Sequence, residues 1–252
     1  MTPIKMEEEL QCIKKMICKV AEFNGLSSDT LKPIYDGING IDAYNAYLKS
    51  NLKIAWILKE PYDEWNEDGS PKGGDWTVGD AFIDHENNPG KKIPKTWINI
   101  ADVMYGFKNN LTFVELAEIK DLREIIAELR SITYINLSKM PNKSISSDEQ
   151  YSAAYRNYWK EVVAEQLQLF APEVIIFGFT YKTMKDSFPN AKQDEDLSAK
   201  LGIVKYLRNT PNQILLDTYH PSNTYISGYG RHGLIDTLIS ALKIAYSELK
   251  GR

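Results

Sequence analysis

An imidazole, a carboxylate and an amide each stand at the end of an apolar segment of this chain. They belong to His220, Glu60 and Asn136. An imidazole can hydrogen-bond a carbonyl oxygen that gains negative charge, a carboxylate can orient and polarise a water, and an amide can read a paired donor and acceptor. This combination suits hydrolysis at a planar heterocycle, provided that the fold brings the three groups to one place.

Four apolar segments predict buried strands, and patterns with helical spacing separate them. The strands are predicted at residues 52–58, 132–137, 173–177 and 213–217. Strands that alternate with helices favour a parallel sheet, because crossover helices must bury their apolar faces against it. We therefore predict the α/β class, as a three-layer α/β/α sandwich with a central four-stranded parallel sheet. Ligands bind at the carboxyl ends of such strands, where the three polar groups lie.

The remaining chain predicts helices and two polar connections. Helices are predicted at residues 7–23, 95–107, 112–129, 147–169, 181–186 and 231–249. The fourth of these opens with the capping-box pattern that begins at Ser147. Residues 63–94 predict a long ordered loop with a short helix near Asp80, and residues 189–198 an exposed excursion. We predict one domain over residues 1–252, with an N-terminal helical segment at about 1–50.

Composition and charge limit the classes of function. The net charge is −4, which gives no general attraction to nucleic acid or to an anionic membrane, so a nucleic-acid contact needs a local basic patch. Cys12 and Cys18 are the only cysteines, and their spacing on one helix fits neither a disulfide nor a thiolate metal site. With no apolar run of roughly 20 residues and no signal-peptide pattern, a cytoplasmic protein without a membrane partner is expected.

Four segments resemble motifs of the uracil-DNA glycosylase superfamily and follow the same order over residues 54–242. Residues 58–62, Leu-Lys-Glu-Pro-Tyr, resemble a Gly-Gln-Asp-Pro-Tyr type motif, and Glu60 and Tyr62 fall on its acidic and tyrosine positions. Residues 136–139 resemble the segment whose asparagine reads the base, and residues 172–178 resemble the strand that follows it. The tripeptide His220-Pro221-Ser222 resembles the second catalytic motif.

The resemblance implies a DNA glycosylase that hydrolyses the N-glycosidic bond of uracil or a related deaminated base, after the nucleotide has flipped out of the stack. Glu60 would hold the hydrolytic water, and His220 would stabilise the leaving base. Asn136 would pair with the base edge, and Tyr62 would crowd the position of a thymine methyl group. Ser222, the last residue of the second motif, is assigned to substrate binding.

The resemblance also implies a partner, which is DNA that contains a damaged base. The residues expected to contact this DNA are Lys139, Lys143, Tyr225 and Arg231. The ring that stacks on the base has three equal candidates, which are Trp76, Phe82 and Trp97. Some branches of the family carry an iron–sulfur cluster on four cysteines; this chain has two, so neither a cluster nor any other cofactor or metal is expected. We expect His85 and His232 to be ordinary surface histidines, because no metal-ligand spacing joins them.

Two positions depart from the resembling motifs. Lys59 stands where those motifs have a neutral or acidic residue, and Asn223-Thr224 replaces an apolar pair after the second motif. These departures keep open a binding protein of the same fold with altered chemistry, which would bind nucleic acid or nucleotides with a strong salt dependence and release no product. The negative net charge keeps open a second alternative, a hydrolase of small nucleosides.

Overall fold

The chain is described by a computed structural model that covers residues 3–38, 40–63, 66–70, 72–88, 92–119, 122–142, 148–223 and 225–251. Within these residues the structure combines a mixed six-stranded sheet with helices that pack on it, so the predicted α/β class is confirmed.

The sheet has a parallel part and an antiparallel edge. Its strands are β1 Ile54–Leu58, β2 Thr133–Asn136, β3 Val174–Gly178, β4 Lys192–Gln193, β5 Lys205–Thr210 and β6 Gln213–Thr218. They lie in the order β2-β1-β3-β6-β5-β4 across the sheet. The first four of these are parallel to one another, whereas β5 runs antiparallel to β6 and β4 antiparallel to β5. Each strand of the parallel part was predicted to within two residues.

The prediction of a four-stranded, wholly parallel sheet is wrong at this antiparallel edge. Residues 189–198, predicted as an exposed excursion, contain β4 and the start of α10 (Glu195–Leu201). β4 has only two residues, both exposed, and β5 carries the polar residues Lys205 and Arg208. Neither strand has the continuous apolar run that marks a strand buried on both faces. Short edge strands of this kind leave little trace in a sequence.

Helices cover both faces of the parallel strands. Alternate residues of a strand point to opposite faces, and in β1 Trp56 joins one hydrophobic cluster while Ile57 joins another. The first cluster includes residues of α4 (Lys95–Asn109) and α11 (Gly230–Lys250), and the second includes residues of α2 (Ile41–Lys49) and α7 (Asp148–Ala154). This two-sided burial explains why the middle residues of the four strands are apolar.

Two predicted helices differ in detail from the observed ones. The described part of residues 112–129 forms α5 (Phe113–Leu116), α6 (Leu122–Ile126) and the start of a 3₁₀ turn instead of one helix, and Thr112 caps α5 with a capping box. The helix predicted from residue 147 contains a π turn between α7 and α8, and its Ser147 lies outside the described residues. The other helices are α1 Pro3–Phe23, α3 Val78–Asn87, α5 Phe113–Leu116, α6 Leu122–Ile126, α8 Lys160–Phe170 and α9 Tyr181–Met184. None of the helices in the described ranges is long and apolar enough to cross a membrane.

The N-terminal segment packs against the rest of the chain. Ile17 of α1 joins Trp159 and Val162 in a small hydrophobic cluster. The irregular stretch that follows forms isolated β-bridges, one of which pairs Gly37 with Tyr134 of β2. A left-handed φ of 105° at Gly37, together with the ring of Phe170 2.9 Å from where a Cβ would lie, requires glycine there. The segment thereby reaches the strand that ends in Asn136.

Candidate active site

A cavity of about 480 Å³ lies at the carboxyl ends of the parallel strands. Glu60 and Tyr62 after β1, Asn136 at the end of β2 and His220 after β6 all line it. The structure thus brings together four residues that the sequence predicted at one site, although His220 lies 160 residues from Glu60 in the chain. Cavities of roughly 300–1,000 Å³ are typical of small-molecule sites.

Asn136 presents an open amide to the cavity. Its side chain is 1% exposed. Among the described residues, no hydrogen-bond partner contacts either its side-chain oxygen or its side-chain nitrogen. A buried polar group left in this state costs roughly 1–3 kcal/mol, and the cost is recovered when a ligand supplies the matching donor and acceptor. The arrangement is suited to the edge of a planar heterocycle, which offers both.

A buried ionic network holds the backbone of Asn136 in place. The Lys139 ammonium donates to the Asp36 carboxylate at 2.7 Å, to the Asn136 carbonyl at 2.7 Å and to the side-chain oxygen of Gln166 at 2.8 Å. The Asn136 N–H donates to the other Asp36 oxygen at 2.6 Å. Because both backbone polar groups of Asn136 are tied to this ion pair, the network positions the amide that faces the cavity.

Lys139 therefore cannot contact DNA, and its prediction as a surface cation is wrong. Its side chain is 0% exposed, and burial lowers the pKa of its ammonium, against the opposing effect of Asp36. The sequence shows Lys139 in a polar segment after a strand, which is typical of surface lysines. Its partner Asp36 is distant in the sequence and offers no local signal.

The other residues predicted to contact DNA differ in their exposure and in their hydrogen bonds. Tyr225 is 93% exposed. Lys143 lies outside the described residues. The Arg231 guanidinium donates to the side-chain oxygen of Asn99 at 2.7 Å and also bonds the Asp102 carboxylate, while burial raises the pKa of Asp102 to about 6. The existing partners of Arg231 make it a structural residue of this region.

The same arginine braces the turn that carries His220. Asn99, which Arg231 contacts, donates through its side-chain nitrogen to the carbonyl of Pro221 at 2.6 Å. On the other side of the turn, a Cβ added at Gly178 would lie 2.9 Å from the ring of Pro221. Glycine at the end of β3 therefore allows the turn to pack closely against the strand.

His220 has a defined tautomer. Its Nδ1 accepts from the backbone N–H of Ser222 at 3.2 Å, and the Ser222 hydroxyl lies 2.8 Å from the same atom. A backbone N–H can only donate, so a neutral ring carries its proton on Nε2. Burial, and to a lesser extent the charge of Lys59, lowers the pKa of His220 to about 4. The imidazole is therefore neutral near pH 7 and offers one N–H donor.

We expect nuclear magnetic resonance to show this state directly. The ring nitrogens of His220 should report an Nε2–H tautomer with a midpoint near pH 4. Replacing Lys59 by Gln should raise that midpoint, because it removes a neighbouring positive charge. His232, which is exposed, is the matched control. A midpoint for His220 at or above about 6.5, the ordinary value, would contradict the assignment.

The depressed pKa also affects stability. Between about pH 4 and 6.5 the unfolded chain binds a proton at His220 that the folded chain does not bind. This ring therefore makes the free energy of unfolding rise with pH across that window.

Glu60 and Tyr62 form a pair beside the cavity. Glu60 is 7% exposed, and the Tyr62 hydroxyl donates to its carboxylate at 3.3 Å. Burial and the Glu60 charge raise the pKa of Tyr62, so the phenol stays protonated and remains a donor. Lys59, whose place in the motif is unusual, has its ammonium over the rings of Tyr151 and Phe179, at 4.8 and 4.9 Å from their centroids.

Two of the three candidate stacking rings line the cavity. Trp76 and Trp97 are among its lining residues, together with Tyr134. The indole N–H of Trp76 donates to the Asp63 carboxylate at 2.7 Å, which fixes the ring. Phe82 packs edge-on against Trp97 at 4.7 Å and lines a different cavity. Of the three candidates, Trp76 and Trp97 thus line the cavity and Phe82 does not.

His85 is a site residue that the sequence prediction missed. It is 7% exposed, lines the cavity and packs edge-on against Trp97 at 5.4 Å, so the expectation of a surface histidine is wrong. Its signal was present in α3, where Val78, Phe82 and His85 follow one another at helical spacing and are all buried. Because residues 63–94 were predicted mainly as a loop, the buried face of α3 was not recognised in the sequence.

The cavity lining is acidic. It includes four carboxylate side chains and, among the described residues, neither a lysine nor an arginine. The four are Glu60, Asp63, Asp80 and Asp84. Across the part of the chain that the structure describes, no group of three or more His, Cys, Asp or Glu side chains is arranged to hold a metal ion.

No protein-family model matches the chain, and no curated protein matches its sequence.

Proposed function

We propose that the chain is an N-glycosyl hydrolase that removes uracil or a related deaminated base from DNA. The observation that carries the proposal is the convergence of Glu60, Tyr62, Asn136 and His220 on one cavity. These are the positions at which the sequence resembles the uracil-DNA glycosylase superfamily. Helices on both faces of the parallel strands agree with the three-layer α/β/α arrangement that the resemblance implies.

Asn136 and an aromatic side chain recognise the base. The target nucleotide flips out of the stack, at a cost of a few kcal/mol, and its base enters the cavity. The Asn136 amide supplies one donor and one acceptor to the base edge, and thereby satisfies the two atoms that have no partner among the described residues. Trp76 or Trp97 stacks on the ring. Tyr225, which is 93% exposed, is the residue proposed to contact the DNA.

Hydrolysis uses Glu60 and His220. The bond between C1′ and the base nitrogen breaks, and its electron pair leaves with the base. The neutral His220 donates its Nε2–H to a carbonyl oxygen of the departing anion and so disperses its charge. Glu60 orients a water whose oxygen bonds C1′, and the proton of that water passes to the carboxylate. The same negative charge stabilises the cation-like sugar.

A uracil-containing oligonucleotide tests the proposal. Incubation followed by alkali should cleave the strand at the uracil position. His220→Ala should lower the rate by about 10²–10³-fold, the effect of losing one donor to a developing anion. His232→Ala, which replaces an exposed histidine, should retain the parent rate. Absence of cleavage across a panel of deaminated bases would refute the function, and salt-dependent binding without product would select the altered binding protein instead.

One observation favours a second candidate, the hydrolysis of free nucleosides. The cavity lining includes four carboxylates and, within the described residues, neither a lysine nor an arginine, which suits a small uncharged substrate better than a polyanion. Turnover of free deoxyuridine at a rate equal to that of the oligonucleotide would support this candidate.

A further inference from the structure

A second cavity lies at the opposite end of the sheet from the candidate active site. It has a volume of about 570 Å³, and its lining includes Leu52, shortly before β1, and Ser131, shortly before β2. Among the described residues, none lines both cavities. The five residues of β1 span roughly 16 Å between the two ends of the sheet. We call this second site the amino-end cavity, and its volume is in the range of a small-molecule site.

The wall of the amino-end cavity is partly aromatic. The ends of α2 and α4, the 3₁₀ turn after α6 and the last turns of α11 form this wall. Leu52 and Met104, which are 3% and 5% exposed, supply apolar surface. The rings of Phe107 and Tyr246 meet at 66° with their centroids 6.1 Å apart. A ligand with an aromatic ring can extend this pair, because aromatic rings attract one another in tilted and offset arrangements.

Three lysines of the lining make the amino-end cavity positively charged. They are Lys49, Lys108 and Lys243. The ammonium of Lys108 forms an ion pair with Glu128, also a lining residue, at 2.7 Å. Lys243 lies near Glu115, an exposed acid outside the lining, where solvent screens the attraction. Within the ranges that the structure describes, Lys49 forms no ion pair. A cavity with this excess of one sign of charge concentrates ligands of the opposite sign.

The size of the positive charge favours a ligand with a single negative charge. α2 and α4 both end at the cavity, and the C-terminus of a helix carries roughly −0.5 of an elementary charge. The two helix ends and Glu128 therefore offset about two of the three positive charges, and an excess of about one remains. A carboxylate matches this excess, whereas a phosphate monoester, with a charge of about −1.5 to −2, exceeds it.

We propose that the amino-end cavity binds a small aromatic monocarboxylate. The ring of the ligand contacts the pair formed by Phe107 and Tyr246 and leaves water on binding, which supplies most of the affinity. The carboxylate binds the ammonium groups of Lys49 and Lys243. Because no lining residue is shared with the cavity of His220, this site does not depend on the proposed glycosylase function.

Two probes of the same shape test the need for a negative charge. 2-Naphthoate and 2-naphthamide share one bicyclic ring system, and only the first is charged at pH 7. Titration followed by the fluorescence anisotropy of the naphthalene ring gives Kd for each. At low salt we expect Kd of the acid to be about fivefold lower or more, and the difference to shrink as the ionic strength rises to about 0.3 M. Equal Kd values at low salt would overturn the proposal.

Variants of the lining separate the charge from the aromatic surface. Lys49→Gln and Lys243→Gln should each raise Kd for 2-naphthoate by about threefold or more and leave Kd for 2-naphthamide unchanged. Tyr246→Ala should raise both Kd values by about the same factor, because it removes ring contact alone. Lys160→Gln, which replaces an exposed lysine on α8, is the matched control. Unchanged affinity for 2-naphthoate in the double variant of Lys49 and Lys243, or in Tyr246→Ala, would overturn the proposal.

Nuclear magnetic resonance and competition locate the bound probe. Binding of 2-naphthoate should shift the backbone amide signals of residues 49–52 and 243–247 and leave the ring nitrogens of His220 unchanged. Deoxyuridine should not displace the probe, and Glu60→Gln should bind it with the Kd of the parent protein. Displacement by deoxyuridine, or shifts confined to the surroundings of His220, would place the probe in the other cavity and overturn the proposal. These outcomes are the same whether or not the chain releases uracil from DNA.

Discussion

Replacing Lys139 by Met is expected to lower the free energy of unfolding by about 3–5 kcal/mol, the usual cost of removing one partner of a buried ion pair. The loss would leave the Asp36 carboxylate, the Asn136 carbonyl and the Gln166 side chain without the ammonium that bonds all three. Urea unfolding followed by circular dichroism measures the effect. Lys182→Met, which replaces an exposed lysine, should change stability by less than about 0.5 kcal/mol.

A second variant separates charge from packing. Adding Asp36→Asn to Lys139→Met removes the uncompensated negative charge but keeps a side-chain oxygen for the Asn136 N–H, so the double variant should recover part of the lost stability. A cost below about 1 kcal/mol for Lys139→Met alone, or a double variant less stable than the single one, would show that the ion pair does not hold this region together.

Replacing Glu60 by Gln is expected to lower kcat by about 10²–10⁴-fold, the range for loss of a positioned general base. Glutamine keeps the shape and an oxygen that can still accept from the Tyr62 hydroxyl, now 3.3 Å from the carboxylate, so the pocket should remain folded. Single-turnover release of base from an oligonucleotide measures the rate of the chemical step. A separate binding titration should give a Kd within a few-fold of that of the parent protein.

Two controls make the Glu60 result specific. Glu161→Gln changes an exposed acid on α8 and should leave the rate unchanged. A Glu60→Gln variant whose rate stays within threefold of the parent would remove Glu60 from the role of general base, whatever substrate is used. A variant with unchanged stability and a rate lowered at least a hundredfold would assign Glu60 to the reaction itself.

The parallel part of the fold could be predicted from the sequence because its strands are buried on both faces. Each strand then has an apolar middle, and in β1 all of residues 54–58 are apolar. The antiparallel edge could not be predicted in the same way. Its strands are short or carry charge, as at Lys205 and Arg208, and they owe their conformation to pairing with β6. Pairing partners of this kind have no local signature.

The local sequence predicted the residues that line the cavity better than the buried residues that hold them in place. Glu60, Asn136 and His220 follow directly from strand ends, which meet at one edge of a parallel sheet. Lys139 was assigned wrongly because its environment depends on Asp36, a residue of the N-terminal segment. His85 was missed because its burial depends on helix α3, and the helical pattern of that helix is weak among the loop-forming residues of 63–94.

The ion pair between Asp36 and Lys139 also affects how the chain folds during its synthesis. The two residues are 103 positions apart, so during synthesis Asp36 is present long before its partner exists. Before Lys139 has been synthesised, burial of the Asp36 carboxylate without a partner costs free energy. The segment around Asp36 therefore does not pack stably against the sheet at that stage. A nascent chain that stops before residue 139 should therefore lack an ordered pocket. The backbone of Asn136, and with it the amide that faces the cavity, becomes fixed only when Asp36 and Lys139 have paired.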